Sequence, residues 1–194
     1  VPGQHNISNA LAALNVARSL NIPDKVSFEA LSEFKGVWRR FEYKGQLKGA
    51  KIYDDYAHHP TEISATMKGA RELLEKEKSR GSLSLIFQPH QYQRTHKLFN
   101  KFIKAFDQAD NLIILPIYSV AGREKMSVKR KVSSEKLAEA IQRRWQKLKF
   151  SKQVIFASDF KKVKSYLKKN LSKGDWCIIM GAGDVWQLTE MLLK

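Results

Sequence analysis

Three observations predict an α/β fold built on a mostly parallel sheet. From residue 60 onward, apolar runs of strand length alternate with amphipathic runs of helix length. The strand-length runs at 112–115 and 176–180 are apolar nearly throughout, the texture of strands covered on both faces. The chemically richest segments fall where a strand gives way to a helix, which is where open α/β sheets hold ligands.

The elements follow in order. Ile7, Leu11 and Leu14 share one helical stripe over residues 7–20, with Ala10, Ala13 and Ala17 beside it for close packing. Asn21-Ile22-Pro23-Asp24 breaks that helix, and a shorter one carries Phe28, Leu31 and Phe34 to Gly36. After Gly36-Val37-Trp38-Arg39-Arg40 the texture changes: residues 41–43 and 51–53 flank Gly45 and Gly49 and read as a two-stranded ribbon. Pro60 suits the first turn of a helix bearing Ile63, Met67, Ala70 and Leu74. A strand at 82–87 precedes a helix over 96–106 with Leu98, Phe102 and Phe106 on one stripe. A buried strand at 112–115 stops at Pro116, and a basic loop spans 122–132. Ser133 or Ser134 caps a helix through Leu137, Ile141 and Trp145. Strand 154–157, helix 160–171, strand 176–180 and helix 185–193 complete the chain. The rhythm is that of a Rossmann-like domain, with the helices up to about Gly36 read as the tail of a preceding one.

Composition bounds the rest. A chain of 194 residues, 43% hydrophobic, can bury one good core plus a fragment of another. It opens Val-Pro-Gly and enters a helix at once, as a piece of a longer protein would. No apolar stretch suits a bilayer and no leader is evident, so a soluble, untargeted protein is expected. The single cysteine, Cys177, lies in an apolar run and reads as a buried thiol in a reducing compartment. The net charge of +16 favours anionic partners. Much of it, as in Lys161-Lys162-Val163-Lys164, fills the outward positions of helices whose inward positions are apolar, a solvated face. No RNA-reading strand or zinc-finger spacing accompanies it.

Four segments carry chemistry. Asp54-Asp55-Tyr56-Ala57-His58-His59-Pro60 sets two carboxylates and two imidazoles in a strand-to-helix turn. An aspartate there can accept ribose hydroxyls or order a cation's water shell; the alternative is a polar turn capping the next helix. A transition metal held by Asp55, His58, His59 and His90 is disfavoured, because neighbouring histidines rarely aim at one point. In Gln88-Pro89-His90-Gln91-Tyr92-Gln93-Arg94-Thr95, Arg94 near a helix start is either a carboxylate or phosphate clamp or a surface arginine. Gly181-Ala182-Gly183-Asp184 allows close backbone approach but lacks the third glycine of a dinucleotide fingerprint. Arg39-Arg40-Phe41-Glu42 offers a phosphate clamp at a domain junction, or a salt bridge to Glu42. No phosphate-cradling Gly-x-x-x-x-Gly-Lys-[Ser/Thr] loop is present.

Together with Gly3-Gln4-His5-Asn6-Ile7-Ser8-Asn9-Ala10, these segments, in this order, resemble the Mur ligases of peptidoglycan synthesis over nearly the whole chain. His-His-Pro and Gln-Pro-His resemble the branch that acts on UDP-N-acetylmuramate. The resemblance implies that residues 1–38 end a central ATP-binding domain, and that 39–194 form a Rossmann-like, amino-acid-binding ligase domain. It implies a bacterial cytoplasmic enzyme that joins L-alanine to UDP-N-acetylmuramate through an acyl phosphate, using ATP and Mg²⁺. Most of the metal ligands, the phosphate loop and the nucleotide-sugar domain would lie in the rest of the polypeptide, leaving this piece inactive alone. By position, His5, Asn6 and Asn9 would contact the adenine side, Asp55 the ribose and Arg40 the ATP phosphates. Tyr56, His58, His90 and Arg94 would shape the alanine pocket, with Arg94 on its carboxylate. Gln91 departs from the family's usual arginine. Two rivals are a recycling ligase that attaches a preformed murein peptide to the same nucleotide sugar, and a basic nucleic-acid-binding domain.

Overall fold

The computed structural model describes residues 3–78, 80–122, 124 and 126–194, with backbone only for Gln4 and His5. The described elements run α1 (Gln4–Ser19), α2 (Asp24–Glu33), β1 (Glu42–Leu47), β2 (Ala50–Asp55), α3 (Pro60–Lys76), β3 (Leu83–Phe87), α4 (Tyr92–Lys97) and α5 (Phe99–Ala105). They continue with β4 (Asn111–Ile114), α6 (Met126–Lys129), α7 (Ser134–Lys147), β5 (Gln153–Phe156), α8 (Phe160–Asn170), β6 (Trp176–Met180) and α9 (Trp186–Leu193).

The strands form one sheet in the order β1-β2-β6-β3-β4-β5. β1 pairs antiparallel with β2 as the expected ribbon, and every other pairing is parallel. The last strand, β6, is inserted between β2 and β3. That crossover brings the loop after β6 between the two histidine-bearing loops, outside the strands' carboxyl ends, where open α/β sheets form their crevice.

Side chains alternate along each strand and feed two cores. Phe87 and Trp176 join Ile63, Met67, Phe102, Phe106 and Trp145 on the α3–α5–α7 side. Ile52, Ile86 and Cys177 join Val163, Leu167 and Leu188 on the α8–α9 side. β3 and β6 are buried along their full length, the reason their sequences lack polar alternation.

Local chemistry fixes the helix starts. His59 and Glu62 form a reciprocal cap on α3, with Pro60 in its first turn. Ser133 caps α7, while Ser134 Oγ donates instead to the Leu115 carbonyl at 2.6 Å. Asp159 caps α8.

Three expectations are corrected. The helix expected over 96–106 starts at Tyr92 and breaks at Leu98 into α4 and α5. The basic loop contains α6, whose single turn is too short to show an apolar period. On α1 only Leu14 of the predicted stripe is buried; Ile7 and Leu11 are each 54% exposed, and on α2 Phe28 is 53% exposed.

Candidate active site

The site is assembled from loops at the carboxyl ends of β2, β3 and β6. Hydrogen bonds lace these ends together: Gly181 N–H donates to the Asp55 carbonyl at 3.1 Å and Gln88 N–H to the Met180 carbonyl at 3.0 Å. Gly181 sits at φ 149°, and a Cβ there would lie 2.7 Å from the Gln88 carbonyl oxygen, so only glycine permits this approach.

The two aspartates have separate duties because consecutive strand residues face opposite sides of the sheet. Asp54 Oδ1 accepts from Arg39 Nε at 2.7 Å and its Oδ2 from Thr189 Oγ1 at 3.1 Å, with Arg39 and Asp54 each only 2% exposed. Asp55 turns the other way. Its two oxygens accept the Ala57 and Phe41 backbone amides at 2.7 and 2.8 Å. Burial raises the Asp55 pKa, and those two amides pull it back. At 4% exposure, with both oxygens taken by backbone amides, its carboxylate is enclosed in this structure.

The Arg39 guanidinium also donates through Nη2 to the Gly181 carbonyl at 2.6 Å and through Nη1 toward Gly183 at 3.5 Å. It lies 5.3 Å from the centroid of Tyr56, whose ring also carries Arg40 at 5.6 Å. The side-chain bridge between the arginines and Glu42 does not form. Glu42 accepts the Arg39 backbone amide and pairs with Lys44. Arg40 itself is exposed.

From Tyr56 a row of rings crosses the crevice. Tyr56 and His58 meet edge to face at 5.5 Å, His58 and His90 are 6.0 Å apart, and His90 stacks on Tyr118 at 5.4 Å. Arg94 Nη1 closes the row 3.4 Å from His90 Nδ1. His58 Nδ1 lies 3.0 Å from the Tyr56 carbonyl, an acceptor only, which assigns the His58 proton to Nδ1 and leaves Nε2 as the acceptor. The contact with Arg94, a donor only, makes His90 Nδ1 the acceptor and Nε2 the donor. In their neutral forms the neighbouring imidazoles hold opposite tautomers. Burial, then the charges of Arg94 and His58, lower the His90 pKa and keep its ring neutral near pH 7. Burial pushes Glu62 up, but the His58 and His59 amides outweigh it and hold the carboxyl below its usual range. Glu62 thereby fixes both histidine backbones.

The structure thus joins Arg40, Tyr56, His58, His90 and Arg94 in one chain of contacts, with Asp55 beneath. Asn6 and Asn9 lie on α1, where Asn9 is exposed, and the His5 side chain lies outside the described residues. Among the described residues no group of three His, Cys, Asp or Glu side chains could hold a metal ion. Tyr118 and the Arg39–Asp54 hub went unread in the sequence; Tyr118 stands alone beyond the strand ending at Ile114, without a motif around it.

A model of the Mur ligase, glutamate ligase domain matches residues 39–183. The chain belongs to the Mur ligase family. This Mur ligase chain is 41% identical over 194 residues to the UDP-N-acetylmuramate–L-alanine ligase of Caldanaerobacter subterraneus subsp. tengcongensis, covering all of the chain and 39% of that protein. It is 42% identical over 193 residues to the same-named ligase of Geobacter sp. strain M21, again with 39% of that protein covered. Among solved structures, the UDP-N-acetylmuramate–alanine ligase of Thermotoga maritima matches all of this chain with 38% of its own, at TM-score 0.75 and 27% identity. A murein peptide ligase from Psychrobacter arcticus matches 98% of this chain with 36% of its own, at TM-score 0.68 and 26% identity. The chain spans about two fifths of the length of the curated relatives it matches.

Proposed function

We propose that this chain is the amino-acid-binding part of an ATP-dependent, bacterial cytoplasmic ligase that joins L-alanine to UDP-N-acetylmuramate. The row from Arg40 to Arg94 carries the reading: it sets an arginine at each end of a crevice with the His58 and His90 imidazoles between. Residues 1–38 are assigned to the end of the central ATP-binding domain. The exposed Ile7, Leu11 and Phe28 suit a face that packs on the remainder of that domain.

The reaction transfers the γ-phosphoryl of ATP to the muramate carboxylate, releasing ADP. The alanine amine then attacks the acyl carbon, and the tetrahedral intermediate expels phosphate to leave the amide. Arg94 takes the alanine carboxylate as a charge-assisted pair. The ammonium must lose a proton before it can attack, and His58 Nε2 is positioned to accept it. His90 Nε2–H donates toward the accumulating negative charge, and Arg40 meets the phosphates as the domains close. Asn6, Asn9 and His5 are assigned to the adenine side, and Asp55 to the ribose side, where its carboxylate also braces the Arg40 mount through the Phe41 amide. Mg²⁺ supplies charge neutralisation on the phosphates when bound. Most of its ligands are assigned to the remainder of the polypeptide.

The test is phosphate release by the complete polypeptide with ATP, Mg²⁺ and UDP-N-acetylmuramate, comparing free alanine with a murein tripeptide. Preference for alanine supports the reading, and preference for the tripeptide transfers the chain to the recycling branch, which the Psychrobacter likeness keeps in view. Arg94→Met is expected to raise the KM for alanine about 10- to 100-fold, the loss of one charge-assisted pair.

A further inference from the structure

We propose that Arg39 is a positioning residue whose buried guanidinium forms the rigid mount from which Arg40 reaches the phosphates. The inference rests on the assignment of Arg40 to that contact.

Arg40 stands between two non-glycine residues in the left-handed region, Arg39 at φ 55° and Phe41 at φ 49°. Such backbone persists only where its surroundings over-determine it. Here they do so from both sides. The Arg39 carbonyl accepts the Tyr56 amide at 2.7 Å, and the Phe41 amide donates to Asp55 at 2.8 Å. The Arg39 side chain is tied to Asp54 at the end of β2 and to Gly181 after β6, so one guanidinium clamps the two strand ends that border the crevice. The same group lies against the Tyr56 ring on which Arg40 rests. Arg39 is 2% exposed and cannot touch a substrate, whereas Arg40 is exposed. Two adjacent arginines of like charge thus divide the work: one is spent on structure so that the other arrives with a fixed direction. Preorganised charge of this kind needs no rearrangement during the reaction.

The test is a double-mutant cycle in the complete ligase polypeptide, read as phosphate release and thermal midpoint. Arg40→Ala should lower kcat about 100-fold. Arg39→Gln should lower kcat at least about 10-fold with the KM for alanine held within about 2-fold, yet cost less than about 2-fold in the Arg40→Ala background. Arg39→Lys, which keeps the Asp54 pair but loses the fork to Gly181, should recover part of the loss. Should Arg39→Gln fail to fold, Asp54→Asn, which weakens the clamp from its other side, carries the same comparison. Equal losses in both backgrounds would mean a general structural role and overturn the inference while leaving the Arg40 assignment intact. An unchanged kcat in Arg40→Ala overturns both.

Discussion

At the scale of single residues, charge state is set by what surrounds each group. His90 is lowered by burial and then by the Arg94 guanidinium beside it, so it favours the neutral form when folded. The sign follows: its stabilising contribution is present above the unfolded value near 6.5 and is lost as pH falls from there toward the folded value. An NMR titration of the His90 ring is expected to show a midpoint below 6.5, and Arg94→Met to move it upward; a midpoint above 6.5 contradicts the neutral ring assigned at pH 7. Sequence exposed the polar loops, because carboxylates, imidazoles and guanidiniums cluster there within a few positions of one another. It could not separate Asp54 from Asp55 or Arg39 from Arg40. Each pair is chemically identical, and only the pleat of β2 and the left-handed turn decide which member is buried against which partner.

At the scale of elements, the crevice depends on close approach between loops. Gly181→Ala must place a Cβ 2.7 Å from the Gln88 carbonyl at a φ that other residues rarely adopt. A loss of about 2 kcal/mol or more is expected, measurable by denaturant unfolding. At the opposite end of the sheet, Asp175 accepts from the amides and hydroxyls of both Ser82 and Ser172, binding the entries to β3 and β6. Burial pushes its pKa up, but these bonds outweigh it and hold the carboxyl below the usual range. Its contribution is therefore present above about pH 4 and lost as pH falls through the folded value. Asp175→Ala should cost about 2–3 kcal/mol at pH 7, with the difference from the parent shrinking toward pH 3. The strands and long helices were legible because their apolar periods run for several repeats. The break at Leu98 was not, since Leu98, Phe102 and Phe106 keep one helical period across it and only backbone torsion, φ −105° and ψ 13°, marks the interruption.

At the scale of the whole molecule, surface character separates two kinds of exposed face. The apolar residues of α1 and α2 do little for this chain by itself. Leu11→Glu should change its unfolding free energy by no more than about 0.5 kcal/mol while depressing activity in the complete ligase, as unfolding and phosphate-release measurements would show. The lysines at 161, 162, 168 and 169 form an outward, exposed stripe on α8 above buried Val163 and Leu167. Retention on immobilised DNA is expected to be weak and lost below physiological salt, the behaviour of diffuse lysine charge rather than a reading surface. The sheet order lay beyond reach of the sequence. Nothing in the apolar run at 176–180 says that the final strand enters between β2 and β3, yet that entry sets the loops around the crevice.

Cys177 lies second in that inserted strand, fully enclosed, with burial pushing its thiol up to about 12. It stays protonated and out of reach of alkylating reagents at neutral pH. A cysteine engineered at an exposed place such as Gln93 can therefore accept a fluorophore on this part of the molecule without first stripping out the native thiol, and the dye would report from one known address.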